Sequence, residues 1–130
     1  MKSAYVIIAH GSRERESNEA LGAFIERLKP SFAGKRVEGA FLEIASPSIP
    51  EALEKCIRGG ATEIFVMPLM FFPGRHVKTD IPRIVQEVKA KHPEVDFHFS
   101  SPLCDSPAMV RLVGDLGQHF SSPRKRGSSR

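Results

Sequence analysis

Two histidines and a carboxylate in this chain stand where packing gives little reason for them. His10 directly follows the apolar run AYVIIA, Glu43 closes RVEGAFLE, and His76 comes shortly after EIFVMPLM, at the end of FFPGRH. A polar side chain at the mouth of a buried strand adds nothing to the core, so its presence needs another reason. Imidazole and carboxylate together suit zinc, iron, cobalt or nickel. Either histidine is equally able to act as a base near neutral pH. Taken singly, each residue also has a plain use, as a hydrogen-bonded loop residue or a solvated strand end. The three become a site only if the chain brings three strand ends to one edge.

The hydrophobic pattern predicts that it does. Apolar runs at 4–9, 36–43, 63–70 and 95–99 alternate with segments of helical period. The first run is continuously apolar and the third nearly so, as strands covered on both faces should be. Pro68 belongs near the end of its strand, because proline cannot donate to a sheet ladder. Leu21, Phe24, Ile25 and Leu28 recur at one helical face, as do Ile81, Ile84, Val85 and Val88. A shorter helix presents Ala52, Leu53, Cys56 and Ile57, starts at the capping box Ser48-x-x-Glu51 and stops at Gly59-Gly60. Asp80 reads as the N-cap of the next helix, with Pro82 in its first turn. A last helix beginning Ser106-Pro107 is expected to bury Met109, Leu112, Val113 and Leu116. The order β-α-β-α-β-α-β-α implies an open parallel four-stranded sheet with helices on both faces, a flavodoxin-like three-layer α/β sandwich. Right-handed crossovers put the strand C-termini along one edge, where such sheets bind ligands.

Composition narrows the classes. With 41% apolar and 26% charged residues among 130, the chain reads as a globular domain over 1–120. The net charge of +4 is carried by Arg124, Lys125, Arg126 and Arg130, which have no acid near them; residues 1–120 are neutral. The segment 121–130, SSPRKRGSSR, reads as a basic disordered tail, and neither nucleic acid nor a membrane is expected as partner. No apolar stretch approaches the roughly 18 residues a membrane helix needs. The N-terminal run is too short for a signal-peptide core, so a cytoplasmic location is expected. Cys56 and Cys104 form no C-x-x-C, which argues against a cysteine zinc site or an iron–sulfur cluster. The loop HGSRER has one glycine and matches neither nucleotide-binding fingerprint. Ala9, where a phosphohistidine enzyme would place arginine, removes that option. His92, beside Pro93 at a helix end, His98, alternating with Phe97 and Phe99, and His119 are not expected to take part in chemistry.

Three segments, IIAHGSRERESNEAL, AFLEIASPSIPEAL and above all VMPLMFFPGRHVKTDIP, resemble the short sirohydrochlorin chelatases, the CbiX-type class II enzymes. The resemblance spans about residues 3–118. It implies a chelatase-like fold and insertion of a divalent ion, cobalt first with nickel or iron as alternatives, into sirohydrochlorin with release of two protons. It also implies cobalamin- or siroheme-type biosynthesis and a homodimer. On the matching positions His10 and His76 are the metal-binding histidines, and Glu43 is the nearby carboxylate that holds the ion or accepts pyrrole protons. No tightly bound cofactor is implied; the divalent metal is a substrate. Ser12, Arg13, Arg75 and Lys78 flank the two histidines, the cations suited to the ring's carboxylates, with Arg15 nearby. Phe71 and Phe72 suit either an apolar wall against the ring or the core. A non-catalytic metal or tetrapyrrole carrier would use the same His/Glu site.

Overall fold

The computed structural model describes residues 2–120; the expected basic tail, 121–130, lies outside them. Four strands and four main helices alternate: β1 (Ser3–Ala9), α1 (Arg15–Leu28), β2 (Arg36–Phe41), α2 (Ile49–Arg58), β3 (Glu63–Pro68), α3 (Ile81–Lys91), β4 (Asp96–Phe99) and α4 (Pro107–Gln118). The strands form one parallel sheet in the order β2-β1-β3-β4. The central strand, β1, pairs through Ile8 with Ala40 on one side and Pro68 on the other. Pro68 is the last residue of its strand, where its missing N–H costs the ladder nothing further.

Alternate β1 residues feed two cores. Val6 and Ile8 pack with Leu53, Cys56, Val85 and Val88 under α2 and α3, whereas Ile7 packs with Leu21 and Ile25 under α1. Each fully buried aliphatic side chain of this kind contributes about 1.5–3 kcal/mol. That is why a run without polar interruption sits at the centre. The capping box at Ser48 and Glu51 forms in both directions, at 3.2 and 2.7 Å. Chain reversal after α2 uses Gly60 at φ +99°.

The helices differ from expectation in two places. Phe24 is 41% exposed, so α1 buries only Leu21 and Ile25 fully. More consequentially, α4 buries none of its residues: Leu112, Val113 and Leu116 are 50%, 51% and 61% exposed, and only Met109 is half-buried. Amphipathic period shows that a face needs cover, not that the same chain supplies it. The effect reaches β3, expected to be covered on both faces. Ile64, Val66 and Pro68 are buried, but Phe65 and Met67 are only half-buried. On that side Phe32, Tyr5, Phe65 and His98 form an aromatic row, with successive ring centroids 4.5, 5.0 and 5.0 Å apart. No described helix is long and apolar enough to cross a membrane.

Cys56 is fully buried, and burial first, then the charge of Glu38, pushes its thiol from 9.0 up to about 11. The thiol stays neutral in the fold, so its contribution is complete below about pH 9. That contribution is lost as pH rises toward 11, because the unfolded chain ionises first. At pH 8 a thiol reagent is expected to modify the half-buried Cys104 in the native protein and to reach Cys56 only on unfolding. Two rapidly reacting equivalents would contradict this placement.

Candidate metal and tetrapyrrole site

The parallel register delivers the three strand ends to one edge. Beyond the last ladder pair the chain continues in contact: Leu42 N–H donates to Ala9 O at 2.9 Å, Glu43 N–H to His10 O at 3.1 Å, and Leu69 N–H to Ile8 O at 2.7 Å. β2 therefore ends at Phe41, two residues before the expected boundary, yet Glu43 is still tied to His10. The next residue is held in a tight reversal. Ala45 N–H donates to Glu43 O at 2.8 Å across Ile44, which has φ +72°. A β-branched residue at positive φ is strained, by on the order of 1–3 kcal/mol. Such strain persists where the surroundings fix the geometry.

His10 links the side chains. Its Nε2 lies 3.4 Å from Glu43 Oε2, both side chains being half exposed. Its ring meets that of His76 edge-on, with centroids 4.7 Å apart and planes at 82°. Among the described residues no three His, Cys, Asp or Glu side chains are gathered tightly enough to enclose an ion. The approach is pairwise through His10, on an open edge. A cleft of about 740 Å³ runs along α2 past Pro50, Glu54 and Lys55 to Lys91 and includes neither histidine.

The flanking residues divide. Arg13, Arg15, Arg75 and Lys78 are exposed and form no ion pair among the described residues. Phe71 and Phe72 are 41% and 71% exposed and meet edge-to-face at 4.7 Å, so they are surface and not core. Cys104 N–H holds that segment by donating to Phe71 O at 3.0 Å. Ser12 is occupied in shaping its own loop, its hydroxyl accepting from Glu14 N–H at 3.0 Å.

Two further residues shape the site: Asn18, which the sequence left without a role, and Asp80, expected as a helix cap. Asn18 locks the loop after His10: its Oδ1 accepts from Ser12 N–H at 2.9 Å, and its Nδ2 donates to Ser12 O at 2.7 Å. The visible signal was an amide one turn into a helix after a polar loop. Asp80 is not the N-cap of α3. Its backbone is helical, its side chain caps nothing, and it contacts His76 Nδ1 at 2.8 Å. A π-helical turn over His76–Asp80 precedes α3, closed by Ile81 N–H donating to His76 O. Pro82 gives the reason: its ring crowds the carbonyl four residues back, at Lys78, and a wider turn relieves that clash. The other histidines lie elsewhere. His92 contacts Glu54 at 2.9 Å, and His98 contacts Glu63 at 3.0 Å on the face opposite Phe97.

Comparison with known proteins bears on this edge. The chain is 36% identical over 117 residues to the chloroplastic sirohydrochlorin ferrochelatase of Arabidopsis thaliana, covering 90% of this chain and 52% of that protein. It is 40% identical over 86 residues to a sirohydrochlorin cobaltochelatase of Sulfolobus acidocaldarius, 66% of this chain and 68% of that one. It superposes with TM-score 0.82 and 28% identity on the sirohydrochlorin chelatase SirB from Bacillus subtilis subspecies spizizenii, solved in complex with cobalt; the match covers 99% of this chain and 59% of that one. The chain thus spans about half the length of the Arabidopsis relative. The CbiX family model matches residues 4–118, taking in all four strand ends, both histidines and Glu43, and the chain belongs to the CbiX family.

Proposed function

We propose that this chain inserts a divalent metal ion into sirohydrochlorin and releases two protons. The observation that carries the reading is the edge-on approach of His10 and His76, 4.7 Å between centroids, with Glu43 beside His10 on an open strand edge. Metal insertion exchanges an ion's ligands stepwise and removes two N–H protons from the macrocycle. Neutral imidazoles hold the ion loosely, at a set that must stay open for transfer. Imidazole and the Glu43 carboxylate are the acceptors within reach of the departing protons. Arg13, Arg75 and Lys78 offer unpaired cations to the ring's carboxylates, and Phe71 and Phe72 offer apolar surface to its face. Relatives named sirohydrochlorin ferrochelatase and cobaltochelatase support this substrate.

Cobalt is the ion we put first, supported by the Sulfolobus cobaltochelatase, which is closer to this chain in length than the ferrochelatases. The test is an absorbance assay with the purified chain, sirohydrochlorin, and Co(II), Ni(II) or Fe(II), set against the uncatalysed rate. Acceleration is expected, largest with Co(II). Binding of ion or ring without acceleration for any of the three would assign a carrier instead.

We also propose that the working form is a homodimer. An open edge offers a flat ring only one wall. In addition, α4 leaves Val110, Leu112, Val113 and Leu116 exposed on a 12-residue helix, a length that is marginal in water without packing. Light scattering is expected to give twice the chain mass. Leu112→Glu with Leu116→Glu is expected to give the single-chain mass, since each buried leucine contributes about 1.5–3 kcal/mol. A wild-type monomer at micromolar concentration would refute the dimer.

A further inference from the structure

We infer that Asp80 is a positioning residue that fixes the tautomer of His76 and turns its Nε2 toward the incoming ion. The inference deepens the proposed metal insertion and rests on that reading for its functional consequence. Asp80 Oδ2 lies 2.8 Å from His76 Nδ1, a short contact between partly buried groups. A carboxylate accepts and does not donate, so the partner nitrogen carries the proton. The lone pair of neutral His76 is then on Nε2, and the ring is held at its other end.

The helix supplies the geometry. His76 and Asp80 are the first and last residues of the π-helical turn that Pro82 imposes, so the backbone itself sets their spacing. The second Asp80 oxygen faces Arg83, with Oδ1 3.7 Å from Nη2, which limits rotation of the carboxylate. The two carboxylates of the site therefore do different work. Glu43 faces Nε2 of His10 and shares the space an ion or a departing proton would occupy. Asp80 instead occupies Nδ1 of His76, which leaves Nε2 as the nitrogen available to an ion, and acts through His76.

The test uses the full chain without metal. Long-range 15N–1H correlation spectra, recorded where His76 is neutral, are expected to show the Nδ1–H tautomer in the wild type. Asp80→Ala and Asp80→Leu are expected to lose it, because neither side chain can accept from Nδ1–H. Titration with Co(II) alone is expected to show binding about 10–100-fold weaker in both variants, with an unchanged circular dichroism spectrum. An Nε2–H tautomer at wild-type His76 overturns the inference whether or not the variants fold. Wild-type Co(II) affinity in a folded Asp80→Ala overturns it as well. If instead the tautomer and affinity shift as expected while the wild type inserts no metal, the chelatase reading fails and the positioning role stands.

Discussion

His76→Ala and His10→Ala are each expected to lower the rate of metal insertion by about 10²–10⁴, the range for removing a group that transfers protons at the reacting centre. Neither side chain is in the core: those of His10 and His76 are 50% and 41% exposed, so the fold should survive either change. The two losses should not multiply in the double variant, because the rings touch and act as one unit. Insertion rates, with circular dichroism as a control on folding, measure this. Wild-type rates in both single variants would sink the chelatase reading.

The second large effect comes from a residue without a side chain. Gly11 has φ +104°, and a Cβ placed there would collide with the carbonyl of Glu43. Alanine at such a φ costs about 1–2 kcal/mol. Relief by moving the Glu43 backbone breaks its N–H bond to His10 O, at about 0.5–1.5 kcal/mol. Gly11→Ala is therefore expected to destabilise the chain by on the order of 3 kcal/mol, lowering Tm by roughly 10 °C. The residual folded protein is expected to insert metal about 100-fold more slowly, since an ångström of misplacement at a site has that effect. Gly22→Ala is the contrast: a Cβ there meets nothing within 4 Å in the middle of α1, so stability should rise by about 0.5–1 kcal/mol. Calorimetry on both variants checks the pair. Equal melting temperatures for Gly11→Ala and wild type would remove the close-approach argument.

Local signals made most of the frame legible. The unbroken run through Val6, Ile7 and Ile8 marked the central strand because both of its faces are covered, and Pro68 marked a strand end because it lacks a donor. His10, Glu43 and His76 stood out because the alternating pattern brings three polar residues that close apolar runs to one sheet edge, although each alone has a plain use. Three things were not legible. The cover for α4 is absent from the described chain, and period alone cannot say so. Asp80 followed by Ile81-Pro82 imitates a helix start, and only the π-helical turn redirects its carboxylate to His76. Leu42 and Glu43 continue an apolar run, yet they leave the ladder to approach His10, a distinction that depends on the partner strand's loop.

The central position of β1 bears on how the molecule is made. It is made before the other three described strands, and its second neighbour, β3, pairs with it across about sixty residues of chain. At about 5–20 residues per second, the nascent AYVIIA segment waits roughly 3–12 seconds for that edge to be closed. During the wait it is an uncovered, uncharged strand of the kind that chaperones hold and aggregates recruit. His10 waits with it, since His76 follows the last strand that β1 needs. The two imidazoles meet only after the vulnerable edge has been closed, so the pair assembles on strands that are already joined.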